Sequence, residues 1–457
     1  MSTAGFKEKI RPYLGDRDFY RSVVAIAIPI SMQSLITIGV NMMDTIMLGT
    51  LGETALSASS LANQFINIFH ICCMGMGMGA SVLTSRFWGM QDKESLRKAV
   101  TIMLRLCLVI GSLFTIATII TPQGLMAIYT NEAHIIEAGV GYFRWSIPCY
   151  LLLGFSLTCT IVLRSVGQVK LPLITSIIAF FVNIFFNYMF IFGKFGAPKM
   201  GVEGAALGTL ISRIFEFGFI CGYFFFLDKK IGYRLRHLFM RCRDMIGDYL
   251  KISIPVLVSD ALLALGNSAV AMVMGRIGAS FVSANAITTV TQQLSTVFIQ
   301  GISNASSIIT GHTLGEGDQD RAQRQGVTFL GLGIIIGILA GGLIMLISGP
   351  VIGCYNINEE TRAIAGQLMM AVGLIVIFQS ANSILTKGVL RGGGDTKFLM
   401  LADILFLWVA SIPLGALAGL VWHMPAFWIY VFLKIDQFIK AIWCVFRLGS
   451  RKWIKRI

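Results

Sequence analysis

Hydrophobic residues run through this chain in long blocks separated by short polar segments. Twelve apolar stretches, near 23–48, 56–84, 99–120, 138–163, 171–192, 204–227, 248–274, 282–310, 327–347, 364–390, 398–421 and 426–447, are predicted to be helices. Each is long enough to cross a bilayer core of about 30 Å. The twelve divide into two sets of six because the chain repeats itself. Ile28-Pro29, Asn41, Gly49, Gly52, Ala58, Ser81, Thr84, Gly89 and Asp92 recur 226 residues later as Ile254-Pro255, Asn267, Gly275, Gly278, Ala284, Ser307, Thr310, Gly315 and Asp318. Arg164-x-x-Gly167-x-x-Lys170 returns as Arg391-x-x-Gly394-x-x-Lys397 at an offset of 227. Six is even, so both halves enter the membrane from the same side, and such halves predict a cavity between them and alternating access.

The expected organisation is an N-terminal segment 1–21, a first lobe 22–227, a basic linker 228–247, a second lobe 248–447 and a tail 448–457. Lys7–Arg21 is expected to form a short surface helix, with Phe6, Ile10, Tyr13 and Leu14 available to the interface. No cleavable signal peptide is expected, because Phe6 to Arg21 is charged and the first apolar run is too long. Gly75-x-Gly77-x-Gly79, followed by Ala80 and Ser81, reads as a close helix-packing face.

Composition agrees with a polytopic all-α membrane protein. The 457 residues are 55% hydrophobic and 13% charged, where soluble domains average about 25% charged. The net charge of +14 invites a nucleic-acid reading, but its placement opposes one. With the N-terminus inside, the inner segments carry 26 Lys and Arg, six of them in Lys229–Arg243, and the outer loops carry four. That bias places both termini in the cytoplasm and assigns the charge to orientation and leaflet contact. The nine cysteines show no metal-ligand spacing, and most sit in apolar runs, where a free thiol behaves as a small hydrophobe. No metal site, organic cofactor or nucleic-acid partner is expected, and a monomer in the cell membrane is.

Five of the 23 acidic residues fall inside predicted spans: Asp44, Glu216, Asp260, Asp403 and Asp436. An ionisable group there costs at least ~2.5–3.5 kcal/mol, so each is a functional candidate. Asp44 has no basic residue within a helical turn along the chain and lies fifteen residues after Pro29. Such a carboxylate could load and release a proton near neutral pH, and Pro29 removes a backbone donor at a candidate hinge. Asn183 and Asn187 share one helical face. Asn63, Gln64, Asn67, Thr158 and Thr160 are further candidates for the same cavity, each also able to serve as an interhelical hydrogen bond. Asp260 follows the second candidate hinge, Pro255, and stands at the repeat position of Ser34, whereas Asp44 is matched by Val270. Lys434, Asp436 and Lys440 need countercharges, and Asp260 and Asp403 are available; a structural network and a coupling site are both open. Arg213 and Glu216, three apart, read as a self-satisfied pair.

These residues resemble the multidrug and toxic compound extrusion (MATE) family over nearly the whole chain. The resemblance rests on Pro29 with Asp44-x-x-x-x-Gly49-x-x-Gly52, on Leu163-Arg164-Ser165-x-Gly167 and Leu390-Arg391-Gly392-Gly393-Gly394-Asp395-Thr396, and on Gly201-Val202-x-Gly204-Ala205-Ala206-x-Gly208-Thr209. It implies two six-helix bundles around a central cavity lined by residues such as Asn41 and Thr209. It also implies export of amphipathic organic compounds against inward H⁺ or Na⁺. Proton-coupled members usually carry an Asp four residues after the span 5 Asn, where this chain has Asn187. Sodium-coupled members carry acids in spans 7 and 10; Asp260 lies in the right helix, but span 10 reads Gln379-Ser380-Ala381-Asn382. Asp403 and Asp436 are the substitutes available from other helices, so either coupling ion remains open.

Other classes fit less well. The loop after span 2, Ser85 to Lys93, lacks the pattern of major-facilitator transporters. Lipid-linked oligosaccharide flippases of the same superfamily typically have about fourteen spans and a strongly basic cavity. No paired groups for an intramembrane enzyme and no repeated channel filter loop are present.

Overall fold

The computed structural model describes residues 15–355 and 357–455, and among these every regular element is helical. In hydrocarbon a helix satisfies its own backbone, which makes it the natural form for such apolar runs. The first half contains α1 (Arg17–Gly49), α2 (Glu53–Gly89), α3 (Lys93–Ile120), the short α4 (Pro122–Ala127), α5 (Ala133–Ser146), α6 (Cys149–Ser165), α7 (Lys170–Phe192) and α8 (Val202–Gly222). The second contains α9 (Arg243–Ile277), α10 (Ala279–Gly315), α11 (Gln319–Gly353), α12 (Glu359–Ser383), α13 (Thr396–Ile404), α14 (Ala426–Leu433) and α15 (Ile435–Gly449). Both α12 and α13 continue through π-helical turns, to Gly392 and Val421 respectively.

Among the described residues nine helical segments are long and apolar enough to cross a membrane, and the pair α5–α6, bent by 53°, makes a tenth. The bend falls at Pro148, between the two helices, inside what the pattern predicts as one span. The other two predicted spans fall short of the same measure. Helix α10 is 37 residues long, like α2, but it interrupts its apolar positions with Asn285, Gln292, Gln293, Gln300 and Asn304. The last span is broken at Lys434, between α14 and α15. Arg17–Arg21 belong to α1 rather than to a separate surface helix; Phe6, Ile10, Tyr13 and Leu14 lie outside the described residues.

The repeat is visible in the backbone. Asp92 caps α3 by accepting a hydrogen bond from Ser95 N at 3.0 Å, and Asp318 caps α11 by accepting one from Arg321 N at 2.8 Å. Before the caps, Gln91 and Gly317 both take positive φ, 58° and 88°. Gly167 and Gly394 turn the chain into α7 and α13 at φ 77° and 85°, a conformation that glycine adopts without penalty.

Among the described residues two compact units emerge, one of residues 32–253 and one that joins the residues from 254 onward to 15–31. Each border falls inside a helix and within two residues of Pro29 or Pro255, rather than in the linker. The start of α1 packs in the second unit, where Phe19 and Val23 join Phe329, Leu390 and Trp453 in a buried cluster. There Gly301 of α10 approaches α1 so closely that a Cβ would lie 2.5 Å from the carbonyl oxygen of Ala27. The start of α9 packs in the first unit, where a Cβ on Gly79 would lie 2.5 Å from Ser253 Cα. The small residues of α2 are therefore a packing face, as their spacing predicts.

Residues 228–247 are also part of the first unit. Ile231, Tyr233 and Cys242 are buried with Leu96, Val100 and Phe224. The segment is a strap laid on α3 rather than a free linker.

Candidate ion-coupling site

Asp44 sits near the C-terminal end of α1 and is partly buried. Its carboxylate is not alone. Asn187 Nδ2 of α7 donates to Asp44 Oδ1 at 2.6 Å and is also 3.2 Å from Asn183 Oδ1, while Asn183 Nδ2 lies 3.4 Å from Thr209 Oγ1 of α8. The i,i+4 spacing of the two asparagines stacks them on one face, and both are buried. Helix α8 can come this near because Gly208 has no side chain; a Cβ there would lie 2.8 Å from Asn187 N. The buried Asn187 Oδ1 has no hydrogen-bond partner among the described residues, so the site retains an unused acceptor beside a carboxylate. The pattern of polar residues thus brings Asp44, Asn183, Asn187 and Thr209 into one chain of contacts.

The other candidates lie outside this chain of contacts among the described residues. Asn63 accepts from Tyr142 Oη at 3.3 Å. Asn41, Gln64 and Asn67 are exposed, and Thr158 and Thr160 are buried in α6. Arg213 pairs with Glu216, as their spacing predicts, and also acts electrostatically on Asp44. Arg213 and Tyr142, which both interact electrostatically with Asp44, are the site neighbours that one-dimensional reasoning misses, since both lie on other helices.

In the second unit the acids form two groups. Asp260 Oδ1 meets Arg391 Nη2 at 3.3 Å. Lys440 Nζ bridges Asp403 at 3.1 Å and Asp436 at 3.0 Å, and all three side chains are buried. Ser259 donates to Asp403, Ser411 Oγ donates to Asp436 Oδ1 at 3.0 Å, and Gln437 Nε2 donates to Asp436 Oδ2 at 2.7 Å. Asp260 therefore serves Arg391 and not the charges of the last span, where Lys434 Nζ donates to Asn267 Oδ1 at 3.4 Å.

Repeat arithmetic explains the difference. Arg164 Nε donates to Gln33 Oε1 at 3.0 Å, and Gln33 Nε2 donates to Ser176 Oγ at 3.2 Å. Arg164–Gln33 and Arg391–Asp260 are both 131 residues apart. Asp403 and Lys387 stand 227 residues after Ser176 and Thr160. One scaffold thus holds its arginine with neutral partners in the first half and ionised ones in the second. Among the described residues that second cluster sets Arg391, Lys387, Lys434 and Lys440 against Asp260, Asp403 and Asp436, and Lys387 is exposed.

Comparison with known proteins finds the same two repeats and the same fold. The family model MatE matches residues 29–189 and again 255–417, one match per repeat. A probable multidrug resistance protein NorM of Thermotoga maritima is 24% identical over 443 residues, covering 95% of this chain and 93% of its own. A solved structure described as MATE in the straight conformation superposes with a TM-score of 0.86 at 20% identity, covering 97% of this chain and 98% of that one. A MOP superfamily transporter from Pyrococcus furiosus, described as having a binding pocket of reverse polarity, gives 0.85 at 20% identity with the same coverage. With a match in each repeat and helices that follow the same plan, the chain belongs to the MatE family of multi-pass membrane transporters and is not an enzyme.

Proposed function

We propose that this protein exports amphipathic, cationic organic compounds in exchange for an inward cation, with Asp44 as the coupling group. The observation that carries this reading is the contact of Asp44 with Asn187 at 2.6 Å. The direct partner there is a neutral amide, and the nearby cation, Arg213, is already held by Glu216. A carboxylate so placed gains from binding a proton or a cationic ligand and cannot fully accommodate both, which is the requirement for exchange. H⁺ is the favoured coupling ion, because Asp44 is the only acid in its chain of contacts and the second unit's Asp403 and Asp436 already have the Lys440 ammonium between them. The name of the Thermotoga maritima relative supports drugs as cargo. Placement of both termini in the cytoplasm follows from the Lys and Arg bias, and the protein acts as a monomer.

The test is efflux of a fluorescent organic cation in inverted vesicles, with pH and sodium gradients imposed separately. Transport driven by the pH gradient alone supports H⁺; a requirement for sodium moves coupling to Na⁺ and to the acids of the second unit.

A second reading, a flippase for lipid-linked or otherwise anionic cargo, is favoured by one observation. Four cations face three carboxylates in the second unit, with Lys387 exposed, and the Pyrococcus furiosus relative is described as reversed in pocket polarity. Competition separates the two. Unrelated cations should inhibit uptake of one labelled cation under the first reading, whereas only an anionic or lipid-linked compound should do so under the second.

A further inference from the structure

We propose that residues 226–243, the last two residues of the α8 span and the strap that follows them, form a preformed docking surface for anionic phospholipid at the membrane face where α8 ends and α9 begins. The strap is built, not loose. Arg105 of α3 donates to the carbonyls of Leu238 at 2.7 Å and Met240 at 2.8 Å, Arg97 donates to that of Ile231 at 3.0 Å, and Thr101 donates to that of His237 at 3.0 Å. The Asp228 carboxylate is turned inward, accepting from the backbone N–H groups of Ile231 at 2.9 Å and Gly232 at 3.2 Å and from Gln168 at 2.9 Å.

With its backbone so held, the strap turns two kinds of side chain outward. In the strap Leu235 is 50% exposed and Phe239 is 85%, and they adjoin Phe226 and Leu227, each 67% exposed, at the end of the α8 span. Around them Lys229, Lys230, Arg236, Arg241 and Arg243 are all exposed. The acids do not cancel these charges: Asp228 is buried, and Asp244 is paired with Lys98 at 3.1 Å. The result is apolar side chains flanked by five cations, at the end of one membrane span and the start of the next. Exposed aromatics with a basic border match the boundary of an anionic leaflet, where rings sit at headgroup depth and phosphates meet the cations. A solvated loop would need the charges but not the exposed Leu235 and Phe239.

The strap also fixes the first turns of α9, which lie in the first unit before α9 crosses to the second.

The test is hydrogen exchange of the full chain in nanodiscs of phosphatidylcholine alone or with about a third phosphatidylglycerol. Phosphatidylglycerol should slow exchange across 226–243 by at least about tenfold, and the change should vanish in a variant with K229Q, K230Q, R236Q, R241Q and R243Q. A second variant, Phe239→Trp, leaves the charges in place; brominated phosphatidylglycerol should quench its added fluorescence more than brominated phosphatidylcholine does. Equal exchange in both lipids, protection that survives the charge removal, or absence of quenching would overturn the proposal. So would equal protection by soluble glycerol phosphate, which would make the surface a small-phosphate site. None of these readouts depends on the transported substrate or the coupling ion.

Discussion

Gly208→Ala tests the geometry around Asp44 without touching a polar group. A Cβ at Gly208 would lie 2.1 Å from Asn187 Oδ1 and 2.8 Å from Asn187 N. The amide oxygen can swing away, but the backbone nitrogen cannot. Restoring an ordinary contact of 3.4 Å to that nitrogen moves α8 from α7 by about 0.6 Å, an overpacking that costs ~1–3 kcal/mol. The swing also breaks the hydrogen bond to Asp44, which as a charge-assisted bond contributes ~1.5–3 kcal/mol. Both effects run through Asn187, so they do not simply add. The lost hydrogen bond bears on coupling and corresponds to roughly a 10- to 150-fold loss of gradient-driven transport, while the overpacking is read as a lower melting temperature. Gly218→Ala is the control, since it lies on the same helix with nothing within 4 Å of its Cβ. Uptake into proteoliposomes and thermal unfolding should be read for both. If Gly208→Ala transports and melts like Gly218→Ala, the close approach of α8 to the Asp44 chain is wrong.

Lys440→Met should destabilise the protein by ~3–5 kcal/mol, because it strands two buried carboxylates; the triple change with Asp403→Asn and Asp436→Asn should recover most of that in a thermal melt, and no recovery would mean that the three do not act as a unit. The strap should loosen in acid. Burial, then the charges of Arg97 and Arg236, hold the His237 imidazole below the ordinary 6.5, and its Nδ1 accepts from Arg234 N at 2.9 Å. A lowered histidine gives stability that is complete above 6.5 and lost as pH falls beneath it. Hydrogen exchange of 231–240, corrected for intrinsic rate, should therefore rise as pH drops below about 6.5, and His237→Gln should flatten that dependence; an unchanged profile would dismiss the imidazole's role.

Much of this architecture is legible in one dimension because bilayer length and the repeat constrain it strongly. Pro29 and Pro255, matched at 226 residues, mark where the two units divide, and Asn183 and Asn187 mark a polar face by spacing alone. What is hidden depends on contacts between distant helices. The sequence offers Asp260 and Asp403 alike as countercharges for the last span; Asp403 does meet Lys440, whereas the Asp260 carboxylate serves Arg391, in the place Gln33 takes beside Arg164. The one-residue slip between offsets 226 and 227 conceals this match, since it aligns Asp260 with Ser34 instead. The strap reads as a linker because its arginines dominate its composition, while Ile231, Tyr233 and Cys242, which bury it against α3, are three isolated apolar residues. Helix α10 is predicted as an ordinary span although its amides dilute it, and the break at Lys434 carries no proline or glycine signal.

The central claim is that Asp44 couples an inward cation to export. Its most direct measurement is uptake of a labelled organic cation into proteoliposomes containing the native protein or Asp44→Asn, with the pH gradient, the sodium gradient or neither imposed, and equal folded protein verified by melting. The native protein should concentrate the cation against its gradient when the pH gradient is present, and Asp44→Asn should lose that accumulation while remaining folded. Undiminished pH-driven accumulation by Asp44→Asn would contradict the account.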